Sequence, residues 1–122
     1  MRALYQITTG ELRHADTKCL LGVGYAGEGP GLNNPAFCDV RDVGPLPCGF
    51  YSIGEPEEKL NTVGHFALPL TPDPANLMFR RGGFYVHGDN EKENHTASKG
   101  CIVIDLPARM ELAAFTRLVV IP

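Results

Sequence analysis

The chain has 122 residues, of which 43% are hydrophobic and 20% charged, with a formal net charge of −3. That suits one domain, residues 1–122, with a core of its own, and argues against a nucleic-acid-binding surface. No apolar run approaches the ~20 residues of a membrane span, and no signal peptide is visible at the N-terminus.

Fourteen glycines and ten prolines among short apolar runs indicate a β-dominated, loop-rich fold. Residues Ala3–Ile7 and Glu11–His14 flank a Thr-Thr-Gly turn and predict a hairpin. Cys19–Val23 is a strand candidate. Gly24–Pro35 carries too many Gly and Pro for a helix and predicts a shaped loop. A strand is expected over Phe50–Gly54, a turn or single helical turn over Pro56–Leu60, and a strand from His65 to Leu70 that stops at Pro72. Pro72–Met78 is expected to be loop. Two short apolar runs follow, one ending at His87 and one starting at Cys101, with polar residues between them. Leu106–Thr116 is the one clear helix: Asp105 is a plausible N-cap, Pro107 sits in the first turn, and Leu106, Met110 and Ala113 share a face. Leu118–Ile121 is a last strand.

The chemistry concentrates where the two apolar runs meet the polar loop. A thiolate is the nucleophilic form of cysteine, and a neighbouring imidazole is the usual means of generating it near neutral pH. His87 and Cys101, each beside a glycine, are expected at facing ends of neighbouring strands, with an imidazole nitrogen within hydrogen-bond reach of the thiol. Gly100 allows close approach of the backbone and φ > 0. The N–H of Cys101, with those of Gly100 and Lys99, are candidate donors to an oxyanion. Ser98 either fixes the loop by hydrogen bonding or is ordinary turn chemistry. Tyr85, two residues before His87, shares its side of the strand. Arg81, with Arg80, is a candidate clamp for a substrate carboxylate, against the blander reading of exposed turn arginines. Asp89 is a possible orienter of His87 or a substrate contact.

His87-Gly88, a polar loop, and Ser98-Lys99-Gly100-Cys101 together resemble the signature of the L,D-transpeptidase (YkuD-like) family. The segment Gly44-Pro45-Leu46-Pro47-Cys48-Gly49-Phe50-Tyr51-Ser52-Ile53 is similar to that family's Thr-Pro-x-Gly-x-Tyr-x-Ile strand, with Leu46 at the Thr position. Gly31–Pro35 and His87-Gly88-Asp89 are similar to the small Tlde1-type (DUF2778) branch, some of whose members are interbacterial effectors. Two places depart from the wider family: Lys99 stands where many members carry His, and Val103 where they carry Arg or Asn.

The resemblance implies a single-domain YkuD-like β-sandwich and a cysteine enzyme without cofactor or metal. Cys101 would be the nucleophile, His87 its base, and Gly88 the residue whose carbonyl orients the imidazole. Tyr85, Arg81, Asp89 and Lys99 would meet the substrate. That substrate would be the peptidoglycan stem tetrapeptide, whose terminal D-Ala is released or exchanged. It also implies a periplasmic site of action, delivery by a type VI secretion apparatus from the cytoplasm, and an immunity protein as partner. Two other readings stand beside it: a zinc hydrolase using His87, Asp89, His95 and Cys101, and a non-catalytic cell-wall-binding module. Besides Cys101, cysteines stand at 19, 38 and 48. Cys38 and Cys48 could pair across a Gly-Pro loop, but the expected state of all three is that of small, buried or partly buried hydrophobes.

Overall fold

The computed structural model describes residues 1–59, 64–89 and 98–122. Ten strands and one α-helix are present there. The strands are β1 (Arg2–Gln6), β2 (Glu11–His14), β3 (Leu20–Val23), β4 (Tyr25–Ala26), β5 (Gly49–Ile53), β6 (Glu57–Lys59), β7 (Gly64–Pro72), β8 (Tyr85–His87), β9 (Ile102–Val103) and β10 (Arg117–Ile121); the helix is α1 (Leu106–Leu112). The mainly β fold with one helix near the C-terminus is the one the sequence leads us to expect.

All ten strands belong to one sheet, in the order β3-β2-β1-β10-β5-β7-β8-β9-β4, with β6 on β7. The nine-residue β7 joins its two arms. It pairs with β5 through Leu70, Thr71 and Pro72, and with β8 through Leu68 and Pro69. The edge strands β3 and β4 are separated in sequence only by Gly24. The sheet therefore wraps until its ends meet, and the two layers of the expected sandwich are arms of one nearly closed sheet. Gly24 marks the crowded junction. Its N–H donates to the Gly10 carbonyl, and a Cβ there would lie 2.0 Å from the Val103 carbonyl oxygen.

Period-two alternation supplies the core. Ala3 and Tyr5 of β1, Leu118 and Val120 of β10, and Tyr51 of β5 point inward from one arm; Leu68, Val86, Ile102 and Ala26 do so from the other, all in a single cluster. β1 and β10 lie parallel, with Tyr5 opposite Val120.

Three elements depart from expectation. Residues 57–59 form a strand on β7 rather than a helical turn. The segment read as loop from Gly24 contains β4, which pairs with β9, followed by 3₁₀ turns at Gly29–Gly31 and Pro35–Phe37. The helix is shorter than predicted and buries a different face. Asp105 does cap it, its carboxylate accepting the Ala108 N–H at 3.0 Å, and Pro107 lies in the first turn. However, Ala108, Arg109 and Leu112 are buried, while Leu106 and Met110 are exposed. The reason is close approach to β3: a Cβ on Gly22 would come within 2.8 Å of the Ala108 Cβ. The small face of α1 thus packs on a glycine, and the longer side chains are turned outward.

Candidate active site

β8 and β9 run parallel, with Val86 beside Ile102 and His87 beside Val103. Val86 and Ile102 face the core. Alternation then turns Tyr85 and His87, and Val103, to the opposite face, while Cys101 stands in the bend just before β9, half-buried against the core cluster. Adjacent strands about 4.8 Å apart and a two-residue offset of about 6.6 Å separate the Cα atoms of His87 and Cys101 by roughly 8 Å, a gap their side chains can bridge. The next strand, β4, sets Tyr25 beside Val103 on the same face. Val103 thus stands between His87 on one neighbouring strand and Tyr25 on the other, although 62 positions separate Tyr25 from His87 in sequence.

His87 is buried, and its Nδ1 lies 2.8 Å from the Gly88 carbonyl oxygen. A carbonyl only accepts, so Nδ1 carries the proton and Nε2 keeps its lone pair. Burial pushes the His87 pKa below its ordinary value. The Gly88 carbonyl pulls it back up, the Arg109 guanidinium adds to the lowering, and the Asp89 carboxylate opposes it. Burial raises the Cys101 thiol, against the lowering effects of the Tyr85 N–H, the Arg81 guanidinium and its own backbone N–H. Both groups therefore rest neutral near pH 7. The thiol sulfur accepts the Tyr85 N–H at 3.3 Å. No hydrogen bond joins thiol and imidazole among the described residues, contrary to expectation. Two neutral groups lack the charge that draws an ion pair together, and catalytic hydrogen bonds commonly tighten only when substrate arrives.

The turn before Cys101 is tied down from within by Ser98. Its side chain is fully buried; its hydroxyl donates to the Cys101 carbonyl at 2.6 Å and accepts the N–H groups of Gly27 at 2.9 Å and Gly100 at 3.0 Å. This removes one expected oxyanion donor, because the Gly100 N–H is committed to Ser98. The N–H groups of Cys101 and Lys99 remain candidates. Gly100 has φ 129°, and a Cβ there would stand 2.6 Å from Arg81 and 2.8 Å from Phe84. Both the conformation and the space require glycine.

Arg81 is neither an exposed turn residue nor placed as a carboxylate clamp. It is buried, with its Nη atoms donating to the carbonyls of Cys38 (2.6 Å), Pro45 (2.7 Å), Gly44 (3.0 Å) and Lys99 (3.3 Å), and it lies over the Phe84 ring. Arg80 is exposed. The Lys99 ammonium is exposed, 3.9 Å from Glu28. Asp89 is exposed and accepts the Tyr25 hydroxyl at 2.7 Å.

Tyr25 and Arg109 escaped sequence reasoning. Tyr25 sits in a segment whose glycines and prolines mask a two-residue strand, and Arg109 stands on a helix whose apolar pattern points to a different buried face. Arg109 is buried, donates to the carbonyls of Phe66 and Ile104, and underlies Gly88, where a Cβ would meet it at 2.9 Å. A cavity of about 560 Å³ opens beside these residues, lined by Tyr25, Gly88, Asp89, Val103, Asp105 and Arg109 among others. Neither His87 nor Cys101 lines it; Gly88, the residue after His87, does. A smaller one of about 180 Å³, on the Lys99 side, is lined by Arg41, Asp42, Arg81, Gly82, Phe84 and Lys99.

Among the described residues no three His, Cys, Asp or Glu side chains gather in a way that could hold a metal ion. His95, the remaining ligand of the zinc reading, lies outside the described residues. All four cysteines are free: Cys19 is exposed and the others half-buried. No helix among the described residues is long and apolar enough to cross a membrane.

A sequence profile of the Tlde1 domain matches residues 22–120, a span that holds every residue of this site. The chain belongs to the Tlde1 domain family. Tlde1 domains are a family of type VI secretion effectors. No curated protein and no solved structure matches the chain.

Proposed function

We propose that this Tlde1 domain is a cysteine-dependent L,D-transpeptidase and L,D-carboxypeptidase acting on the stem tetrapeptide of peptidoglycan. The observation that carries the reading is that β8, which ends at His87, runs parallel to β9, which begins directly after Cys101, while the Gly88 carbonyl holds the imidazole in the tautomer that leaves Nε2 free to take a proton.

In the proposed reaction Cys101 Sγ attacks the carbonyl carbon at the L-centre of the third stem residue, and the thiol proton passes to His87 Nε2. The Cys101 N–H receives the oxyanion that develops; one such donor is worth about 3–4 kcal/mol in acyl transfer. The intermediate collapses, the C–N bond to D-Ala breaks, and His87 returns its proton to the departing amine. A thioester remains on Cys101. An acceptor then gives a proton to His87 and attacks the thioester, and the thiol is regenerated as its sulfur leaves. Water as acceptor gives a tripeptide, a D-amino acid gives an exchanged tetrapeptide, and the amine of a second stem gives a 3–3 crosslink. The open cavity beside Gly88 favours small acceptors, so trimming and exchange are proposed to exceed crosslinking. Acting in the periplasm after delivery, such an enzyme would remove crosslinking donors and weaken the wall, and a producing cell would need an immunity protein.

Incubation with purified disaccharide-tetrapeptides, followed by chromatography and mass spectrometry, tests the reading. Tripeptide and free D-Ala should appear with the wild-type protein and not with Cys101→Ala. Intact tetrapeptide after prolonged incubation with the wild-type protein would refute the substrate assignment.

A further inference from the structure

The Arg81 guanidinium gathers carbonyls from two separate stretches of chain: Cys38, Gly44 and Pro45 from one, Lys99 from the other. Four acceptors are more than a structural arginine needs for one turn, and they converge on the segment that touches the nucleophile loop. Leu46, directly after Pro45, donates its N–H to the Gly100 carbonyl at 2.9 Å. The peptide joining Gly100 to Cys101 is planar and trans, which sets its C=O and N–H on opposite sides. Pinning the Gly100 carbonyl onto Leu46 therefore aims the Cys101 N–H the other way, off the scaffold. The preceding peptide is fixed likewise: its carbonyl, on Lys99, takes the Arg81 bond and its N–H, on Gly100, goes to Ser98.

We infer that Arg81 is a positioning residue that aims the oxyanion donor, acting through the Gly44–Leu46 segment and the Leu46 N–H to Gly100 carbonyl bond. The chain of contacts is continuous: the guanidinium fixes the Gly44 and Pro45 carbonyls, these fix Leu46, and Leu46 fixes the Gly100–Cys101 peptide. The planar fork suits this task, since two Nη atoms reach four carbonyls at once; a lysine ammonium cannot reproduce that geometry. The inference rests on the reading of Cys101 as an acyl-transfer nucleophile, but not on the identity of the peptide substrate.

Two reactions of the same thiol separate aiming from nucleophilicity. Acetylation by p-nitrophenyl acetate forms a bond from Cys101 Sγ to the acetyl carbon and builds an oxyanion before p-nitrophenolate leaves. Alkylation by iodoacetamide displaces iodide from a saturated carbon and builds none. Both rates at Cys101 are followed by peptide-resolved mass spectrometry across pH in the wild type, in Arg81→Lys, and in a semisynthetic chain. That chain carries an ester in place of the Leu46 N–H and is joined at Cys48 to residues 48–122. The ratio of acetylation to alkylation should fall at least about tenfold in both variants, with the pH profile of alkylation unchanged, because each keeps a cation at position 81. A ratio within twofold of the wild type in the ester chain overturns the inference, as does a parallel loss of both rates. If Arg81→Lys does not fold, the ester chain still tests the last link, the Leu46 N–H to Gly100 carbonyl bond, through which Arg81 must act, and a ratio within twofold of the wild type there overturns the inference. Failure of the wild type to cleave tetrapeptides would remove the substrate assignment and leave this comparison standing.

Discussion

Ser98→Ala removes one oxygen and three hydrogen bonds. The hydroxyl is fully buried; it receives two backbone N–H groups and donates to the Cys101 carbonyl. At a net contribution of about 1 kcal/mol per bond, the loss is roughly 3 kcal/mol. Leaving buried N–H groups unpaired pushes the cost upward, and a water entering the vacated space would reduce it. Unfolding entropies near 2.1 cal/mol/K per residue convert about 3 kcal/mol in a domain of this size to a fall in Tm of roughly 12 °C. The local consequence is of similar size to the global one. Gly100 and Cys101 lose the atom that holds their peptides, so turnover should drop about 100-fold even at temperatures where the variant is fully folded. Thermal melts by circular dichroism and the tetrapeptide assay, both run on the same preparation, measure the two effects. A Tm within about 2 °C of the wild type, or full turnover in a folded Ser98→Ala protein, would refute the view that Ser98 organises the nucleophile turn.

Replacing Cys101 with Ala should abolish turnover and leave the circular dichroism spectrum unchanged. His87 is buried with a lowered pKa, so its neutral, base-competent form persists below pH 6.5; the acid limb of kcat/KM should fall below the ordinary histidine range and vanish in His87→Gln. The same depressed pKa makes stability fall as pH drops from about 6.5 through the folded-state pKa, since the unfolded chain takes up the proton more readily; His87→Gln should flatten that part of a Tm-versus-pH curve. Tyr25→Phe, which removes the 2.7 Å bond to Asp89, should lower kcat/KM severalfold while shifting Tm by no more than a few degrees. In the resting protein iodoacetamide near pH 7 should label exposed Cys19 before Cys101, whose thiol burial holds above the usual range; peptide mapping of a time course checks the order. Activity should survive EDTA.

Short-range signals carried much of this structure. The hairpin at Thr-Thr-Gly, the strands around Tyr51 and His87, and the Asp105 cap follow from residue types within a few positions of each other. The neighbouring strands that end at His87 and begin after Cys101 were legible for the same reason: both are short apolar runs bounded by a polar loop. What remained hidden depends on tertiary contact. Glycine-rich chain around Tyr25 becomes strand only because β9 offers a partner. The buried face of α1 is chosen by Gly22, distant in sequence, which admits Ala108 more closely than any periodicity within the helix could reveal. Arg81 reads as a surface charge until its carbonyl partners, 36 to 43 residues upstream and 18 downstream, are seen around it. The direct thiol–imidazole bond was expected from chemistry, and the neutrality of both groups removes the charge attraction that would draw them together in the resting site.

The central claim is that the stem peptide passes through a covalent bond to Cys101, and intact-protein mass spectrometry after acid quench addresses it most directly. Mixed with excess disaccharide-tetrapeptide, the wild-type protein should gain the mass of the disaccharide-tripeptide acyl group, mapped to Cys101 and discharged by hydroxylamine or a free D-amino acid. Turnover of tetrapeptide that continues undiminished in Cys101→Ala, or an adduct mapped to a different residue, would contradict the account.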